Sequence, residues 1–208
     1  MTTNPSKPAK TSAKPSHHAG RNQGTPSHEI RIVGGQWKRT KLKVADKPGL
    51  RPTPDRVRET LFNWLGQDLA GWQCLDAFAG TGALGLEAAS RGAKQVTLVE
   101  QDAALIAQLN KTLQQLKANG VQVVRGDGVA AIRQAAPASL HLIFLDPPFD
   151  APLFEPALAA CGKALASQGF VYLEAPLKWT DAQLAPMGLV TYRHLKAGAV
   201  HAHLLTAA

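Results

Sequence analysis

The chain is short of cysteine, has no long apolar run, and has no acid, aromatic or branched aliphatic residue in its first 28 positions. Each shortage excludes something. Cys74 and Cys161 are the two cysteines; they make no CxxC pair and no disulfide framework, which points to a reducing, cytoplasmic setting. No apolar stretch approaches the roughly 18 residues of a membrane span. The longest candidate, Leu140 to Leu145, is strand-sized. Residues 1–28 hold Lys7, Lys10, Lys14, Arg21 and four prolines. Nothing there offsets the entropy of ordering a backbone, so the segment reads as a disordered basic tail. It also lacks the apolar core of a secretory signal and the amphipathic, Arg-rich character of an organelle transit peptide.

What is present sets the class. At 208 residues, 45% hydrophobic and 18% charged, the chain has the length of one domain plus a tail and enough apolar material to bury a core. The net charge of +8 is unevenly placed: residues 1–60 carry 13 Lys/Arg against 4 Asp/Glu, and the rest carry 10 against 11. A basic segment on a near-neutral body predicts a polyanionic partner, nucleic acid first and an anionic membrane surface second.

Three regions follow: the tail at 1–28, a basic hairpin-and-helix extension at 29–66, and an α/β domain at 67–208. In the extension, Ile30, Ile32 and Val33 precede Gly34-Gly35, and Trp37, Leu42 and Val44 follow among Arg31, Lys38, Arg39, Lys41 and Lys43. Apolar and basic residues alternating about a glycine pair predict a short hairpin with one basic face. Thr53-Pro54-Asp55 predicts a helix start, with Thr53 as N-cap and Pro54 at the first helical position. Val57, Leu61, Trp64 and Leu65 then recur at helical spacing.

From Gln73 onward strand and helix patterns alternate. Strands are predicted at 73–78, 95–100, 121–126, 140–146 and 169–174, with helices near 82–90, 102–118, 128–135 and 152–166. This is the pattern of a parallel sheet covered on both faces. The segments 189–195 and 199–206, joined through Ala197-Gly198, predict a closing antiparallel hairpin.

Ligands of such sheets bind at the carboxyl ends of the strands. Four successive strands end at or just before Asp76, Glu100, Asp127 and Asp146. Gly80, Gly82 and Gly85 form G-x-G-x-x-G, a weak signal alone. Asp76 precedes them by four positions, however, and would repel a pyrophosphate while attracting an ammonium or sulfonium. The string Asp76-x-Phe78-x-Gly80-x-Gly82 therefore points to S-adenosylmethionine rather than a nicotinamide dinucleotide. Glu100 suits two ribose hydroxyls, and Asp127 an adenine amino group.

Asp146-Pro147-Pro148-Phe149 closes the apolar strand 140–145. The prolines remove two backbone donors and stiffen the turn. What remains is an acceptor-rich corner beside an aromatic plane, suited to a planar exocyclic amine. Acceptors that draw both amine hydrogens out of the ring plane turn the nitrogen lone pair toward an incoming methyl group. A base must be flipped out to reach such a corner, and stacking on Phe149 offsets part of that cost. His201 and His203 share a strand face without a third ligand, so no metal is expected.

Asp146-Pro-Pro-Phe149 with Asp76-x-Phe-x-Gly-x-Gly82 resembles the amino-directed class I methyltransferases. Arg31-Ile-Val-Gly-Gly-Gln-Trp37, followed by Leu50-Arg-Pro-Thr-Pro-Asp-Arg-Val-Arg-Glu-Thr-Leu-Phe-Asn-Trp-Leu65, is similar to the RsmD family from about residue 29 onward. The resemblance implies a Rossmann-like α/β fold with seven strands in the order 3-2-1-4-5-7-6, the last antiparallel. It implies methylation of guanine N2 in 16S rRNA, at guanine 966, on assembled or partly assembled 30S subunits. Asp146, Pro147, Pro148 and Phe149 would be catalytic. Asp76, Phe78, Gly80, Gly82, Glu100, Asp127 and Asp146 would hold S-adenosylmethionine. Arg31, Trp37, Lys38, Arg39, Arg51, Arg56 and Arg58 would meet RNA. A monomer with no membrane partner is expected. The tail is longer than the short family N-terminus, and Val200-His-Ala-His-Leu204 lacks an aromatic expected of the family's last strand. Two readings compete: a DNA adenine-N6 methyltransferase, which uses the same corner but needs a target-recognition insert this chain is too short to hold, and a non-catalytic RNA-binding factor. A nicotinamide oxidoreductase fits worst, because of Asp76.

Overall fold

A computed structural model describes residues 1–2, 29–44 and 53–208. The expected tail at 3–28 and the candidate Arg51 lie outside the described residues.

The extension opens with strands β1 (Glu29–Arg31) and β2 (Lys41–Lys43), an antiparallel pair in which Ile30 faces Leu42 and Arg31 faces Lys41. Ile30 and Leu42 join the core, while Arg31, Lys41 and Lys43 are exposed on the other face. The glycine pair does more than turn the chain. Gly35 has φ of 72°, and a Cβ there would stand 1.9 Å from the Ser90 carbonyl oxygen. That contact is where the loop docks: the Gln36 N–H donates to the same oxygen at 2.7 Å and the Trp37 N–H donates to Ser90 Oγ at 2.9 Å.

Helix α1 (Asp55–Leu65) buries Val57, Leu61, Phe62 and Leu65. Its start corrects the sequence expectation by one residue, since Pro54 rather than Thr53 is the N-cap. The Thr53 hydroxyl instead donates to Glu174 Oε1 at 2.6 Å, a buried bond that outcompetes local capping.

The body runs β3 (Gln73–Asp76), α2 (Ala83–Ser90), β4 (Gln95–Glu100), α3 (Ala103–Leu116), β5 (Val121–Arg125), α4 (Gly128–Gln134), β6 (Leu140–Leu145), α5 (Phe154–Ala164), β7 (Leu165–Ala175), α6 (Asp181–Leu184), β8 (Leu189–Ala197) and β9 (Val200–Ala207). The seven-stranded order is β5-β4-β3-β6-β7-β9-β8, the expected 3-2-1-4-5-7-6. β9 pairs antiparallel with β7 and with β8, and the other pairings are parallel.

β6 is apolar apart from the half-buried His141, because both its faces are covered. Leu142 and Phe144 join one cluster with α1, α2 and Leu109 of α3; Ile143 and Leu145 join the other with α4 and α5. Ile32, Leu42, Leu61 and Phe62 of the extension share the first cluster with Leu86, Leu98 and Leu204 of the body. No separate core therefore divides residues 29–66 from 67–208.

Candidate active site

The sheet reverses its direction of growth between β3 and β6, and the crevice outside the carboxyl ends of those strands is where an open α/β sheet takes its ligands. Asp76 ends β3, and Asp146 follows β6. Leu145 pairs with Leu173 on β7, which brings Glu174 beside Asp146. Alternation puts Asp76, Asp146 and Glu174 on the sheet face that also carries Cys74, Phe144 and Tyr172.

Asp76 is buried, and its Oδ2 accepts from the Gly85 N–H at 3.0 Å. Its Oδ1 is buried with no hydrogen-bond partner among the described residues. Burial pushes this carboxyl up to about 7; Glu100 and Glu174 add to the shift, and the N–H groups of Gly85 and Phe78 oppose it. An orphaned acceptor of this kind needs a cationic or N–H-bearing partner. The ammonium end of S-adenosylmethionine fits it.

The loop depends on its glycines. Gly80 and Gly82 have φ of 53° and 79°, and Gly82 is the N-cap of α2. A Cβ on Gly85 would stand 2.2 Å from Leu98 Cδ2 and 3.2 Å from Asp76 Oδ2. Glu100 is oriented by three backbone donors: Gly80 N–H to Oε2 at 2.9 Å, and the N–H groups of Gln101 and Asp102 to Oε1 at 2.8 and 2.9 Å. A carboxylate so fixed keeps lone pairs for a ribose diol. Asp127 caps α4, its Oδ1 accepting from the Ala130 N–H at 2.7 Å. Phe78 is half-buried, packed against the second cluster.

At the other side of the crevice, Asp146 is half-buried. Burial raises its pKa well above the usual carboxylate range, and the charges of Glu174 and Asp76 raise it further. Pro147 is buried and Pro148 exposed; the Pro148 carbonyl accepts from the Ala151 N–H at 3.1 Å, closing the turn. Phe149 is 41% exposed, with its ring 6.3 Å from Phe154, which lies 6.4 Å from Trp179.

The basic candidates divide. Arg31, Lys38, Arg39 and Arg56 lie at the surface. Trp37 is half-buried against the first cluster. Arg58 corrects the expectation outright, for it is 0% exposed and cannot reach RNA. Its Nη1 meets Glu87 Oε2 at 3.0 Å, its Nη2 meets Asp55 Oδ1 and the Arg31 carbonyl at 2.7 Å each, and its Nε donates to the Thr53 carbonyl at 3.2 Å. Glu87 also accepts from the Val33 N–H at 2.8 Å and pairs with Arg91 at 2.9 Å.

Sequence reasoning missed Glu87, and it missed Glu174, whose Oε1 accepts both the Thr53 hydroxyl at 2.6 Å and the Tyr172 hydroxyl at 2.8 Å. Glu174 stands near the end of β7, one strand from Asp146, a strand-end carboxylate like the others, so the signal that marked those four was present for it too. A third imidazole was also missed: His194 Nε2 lies 3.0 Å from His201 Nδ1, and its ring is 4.7 Å from that of His203. Among the described residues no group of three or more His, Cys, Asp or Glu is arranged to hold a metal ion.

Comparison with known proteins settles the family. The family model "Conserved hypothetical protein 95" matches residues 30–206. Ribosomal RNA small subunit methyltransferase D of Escherichia coli is 44% identical over 178 residues, which is 80% of this chain and 89% of that protein. The chain belongs to the RsmD family of methyltransferases. The protein of the same name from Haemophilus influenzae is 40% identical over 178 residues, covering 79% of this chain and 92% of that one. The solved structure of yhhF from Escherichia coli superposes with a TM-score of 0.74 at 39% identity, over 86% of this chain and 98% of that one.

Proposed function

We propose that this RsmD-family protein transfers the methyl group of S-adenosylmethionine to the exocyclic N2 of a guanine in 16S rRNA, guanine 966, within the assembled or partly assembled 30S subunit. It would act as a cytoplasmic monomer. The observation that carries the reading is the Asp146 corner: a half-buried carboxylate, a donor-free Pro-Pro turn and an exposed Phe149, one strand from the orphaned Asp76 Oδ1. The relatives' names supply the class of RNA. The surface residues Arg31, Lys38, Arg39 and Arg56 supply cations for its phosphates.

S-adenosylmethionine supplies a methyl group already activated on a sulfonium, so the chemistry requires no Lewis acid. The protein's own work is positioning, for which about 7–11 kcal/mol is an upper scale. Asp76 accepts from the ammonium end, Glu100 from the ribose, and Asp127 reaches toward the adenine. Phe149 stacks the flipped base, at about 1–3 kcal/mol per base. Asp146 accepts the amine hydrogens, a charge-assisted bond of about 1.5–3 kcal/mol that aids the rate only so far as it strengthens in the transition state. Its raised pKa also suits the Asp146 carboxylate to take the proton that N2 sheds once the new bond has formed.

The test uses labelled S-adenosylmethionine with unmodified 30S subunits, free 16S rRNA and unmethylated DNA. Label is expected in rRNA, at guanine N2. Label only in DNA would support the adenine-N6 alternative, and label nowhere the binding-factor alternative. Asp146→Ala should abolish transfer while affecting cofactor affinity far less, because its chief part in this reading is to hold the amine. Near-normal turnover in that variant would refute the corner.

A further inference from the structure

A flipped base leaves a gap in the stack it came from, and the enzyme must keep that gap from closing. The structure holds one side chain outside the catalytic string that is placed to do this. β6 and β7 are in register at their ends, so the Asp146–Phe149 turn and the segment 176–180 leave the same sheet edge as neighbours. The Phe149, Phe154 and Trp179 rings link the two, at successive centroid separations of 6.3 and 6.4 Å. On this rim Leu177 is 74% exposed, beside the exposed Lys178.

A lone exposed leucine is ordinary. What distinguishes this one is the rigidity of its support. Two residues on, the Trp179 N–H donates to Nε2 of the buried His203 at 3.1 Å. Thr180 follows with a complete capping box to Gln183 at the start of α6. The Thr191 N–H donates to Asp181 Oδ1 at 3.0 Å, fastening α6 to β8. A segment pinned this closely holds its leucine in water at a fixed distance from Phe149 rather than folding it inward. Aliphatic side chains placed so are the ones that enter a base stack as wedges.

We infer that Leu177 is the wedge that fills the RNA stack vacated by the target base, with Lys178 against the adjoining phosphate. This rests on the proposal that RNA is the substrate. Phe149 and Leu177 then act in complement, since the first receives the flipped base and the second prevents its return. The target should accordingly be a nucleotide stacked in its resting RNA, because a wedge has no use on an unstacked one.

The experiment measures single-turnover methyl transfer to unmodified 30S subunits, 30S affinity and cofactor affinity for the full chain, Leu177→Ala and Leu177→Met. Leu177→Ala should transfer about tenfold more slowly or worse, with both affinities within about threefold, since an unfilled stack lowers the flipped population rather than docking. Leu177→Met, which keeps an aliphatic wedge, should recover most of the rate. A Leu177→Ala rate within about threefold of the parent would overturn the inference, and so would a loss of 30S affinity that accounts for the loss of rate. If the unaltered protein methylates no RNA, the proposed function fails first; if it does and Leu177→Ala matches it, only the wedge fails. Leu177 is largely exposed, so its variants should melt with the parent.

Discussion

Arg58 offers a stringent test of the structure, because its charge suggests an RNA contact and its side chain points inward. Arg58→Met would keep the stem's length and apolar packing while removing the guanidinium. Four acceptors would lose a donor: Glu87 Oε2, Asp55 Oδ1 and the carbonyls of Arg31 and Thr53. Removing one partner of a buried ion pair costs about 3–5 kcal/mol. Glu87 would not be stranded, since Arg91 still reaches Oε1 through Nε at 3.0 Å and Nη2 at 2.9 Å, and the Val33 N–H still reaches Oε2. Asp55 is partly exposed and can recruit water. The lower end of the range therefore applies, about 3 kcal/mol. At about 2–4 °C per kcal/mol for a chain of this size, Tm should fall by about 6–12 °C. Arg58→Lys should recover only part of this, because one ammonium cannot serve acceptors spread around a planar fork. Thermal unfolding followed by circular dichroism reads the shift, and RNA binding is measured on the same samples below the transition. A Tm within about 2 °C of the parent, together with weakened RNA binding, would show that Arg58 faces RNA and that the buried network is wrong.

Two further predictions concern the cofactor crevice. Asp76 holds its proton up to about 7 when folded, against an ordinary value of 3.8, so the stability this group contributes is present below the lower value and lost as pH rises through the upper one. The ligand-free protein should accordingly melt lower at about pH 8 than at about pH 6 by a margin that Asp76→Asn reduces, and S-adenosylmethionine should bind more tightly to the parent over the same rise; pH-independent differences in both assays would refute the assignment. The glycines at the start of α4 should differ sharply. A Cβ at Gly128 would lie 2.1 Å from the Ala77 carbonyl oxygen, whereas Gly126 has nothing within 4 Å. Gly128→Ala should cost about 1–3 kcal/mol and loosen the cofactor, while Gly126→Ala leaves Tm nearly unchanged; equal melting of the two would show the close approach is not there.

The sheet was legible because its signals are local. β3 and β4 end on Asp76 and Glu100, β5 stops before Gly126, and the largely apolar Leu140–Leu145 stops at Asp146. The meeting of the candidate site residues was legible to the same extent, since strand ends converge by topology and no long-range contact need be known to bring Asp76, Glu100 and Asp146 to one edge. What the sequence could not show were choices made between distant residues. Thr53 has the local chemistry of an N-cap, but Glu174, far along the chain, takes its hydroxyl. Arg58 lies three, four and seven positions before Leu61, Phe62 and Leu65, so spacing puts it on the buried face, but only the packing of α2 across it reveals Glu87 as its partner. His194 meets His203 because the turn that pairs Ala197 with Val200 carries the register back to it, a contact neither strand's pattern announces alone.

Those distant choices alter what the basic extension is. A hairpin and helix tethered by a flexible link would offer RNA to the site as a mobile arm. Here the hairpin is tied to α2 through Val33–Glu87 and Trp37–Ser90, α1 is tied through Arg58–Glu87, and Thr53 at its start is tied to Glu174 beside Asp146. Every tie is short and at least partly buried, so Arg31, Lys38, Arg39 and Arg56 stand at fixed positions relative to the Asp146 carboxylate. Cations held rigidly at a set distance from a catalytic group select the shape of a polyanion as well as its charge, because a duplex or loop of the wrong form cannot meet them and the corner together. If the proposed function holds, the uneven placement of charge along the sequence becomes a geometric constraint on which folded RNA can present an amine to Asp146.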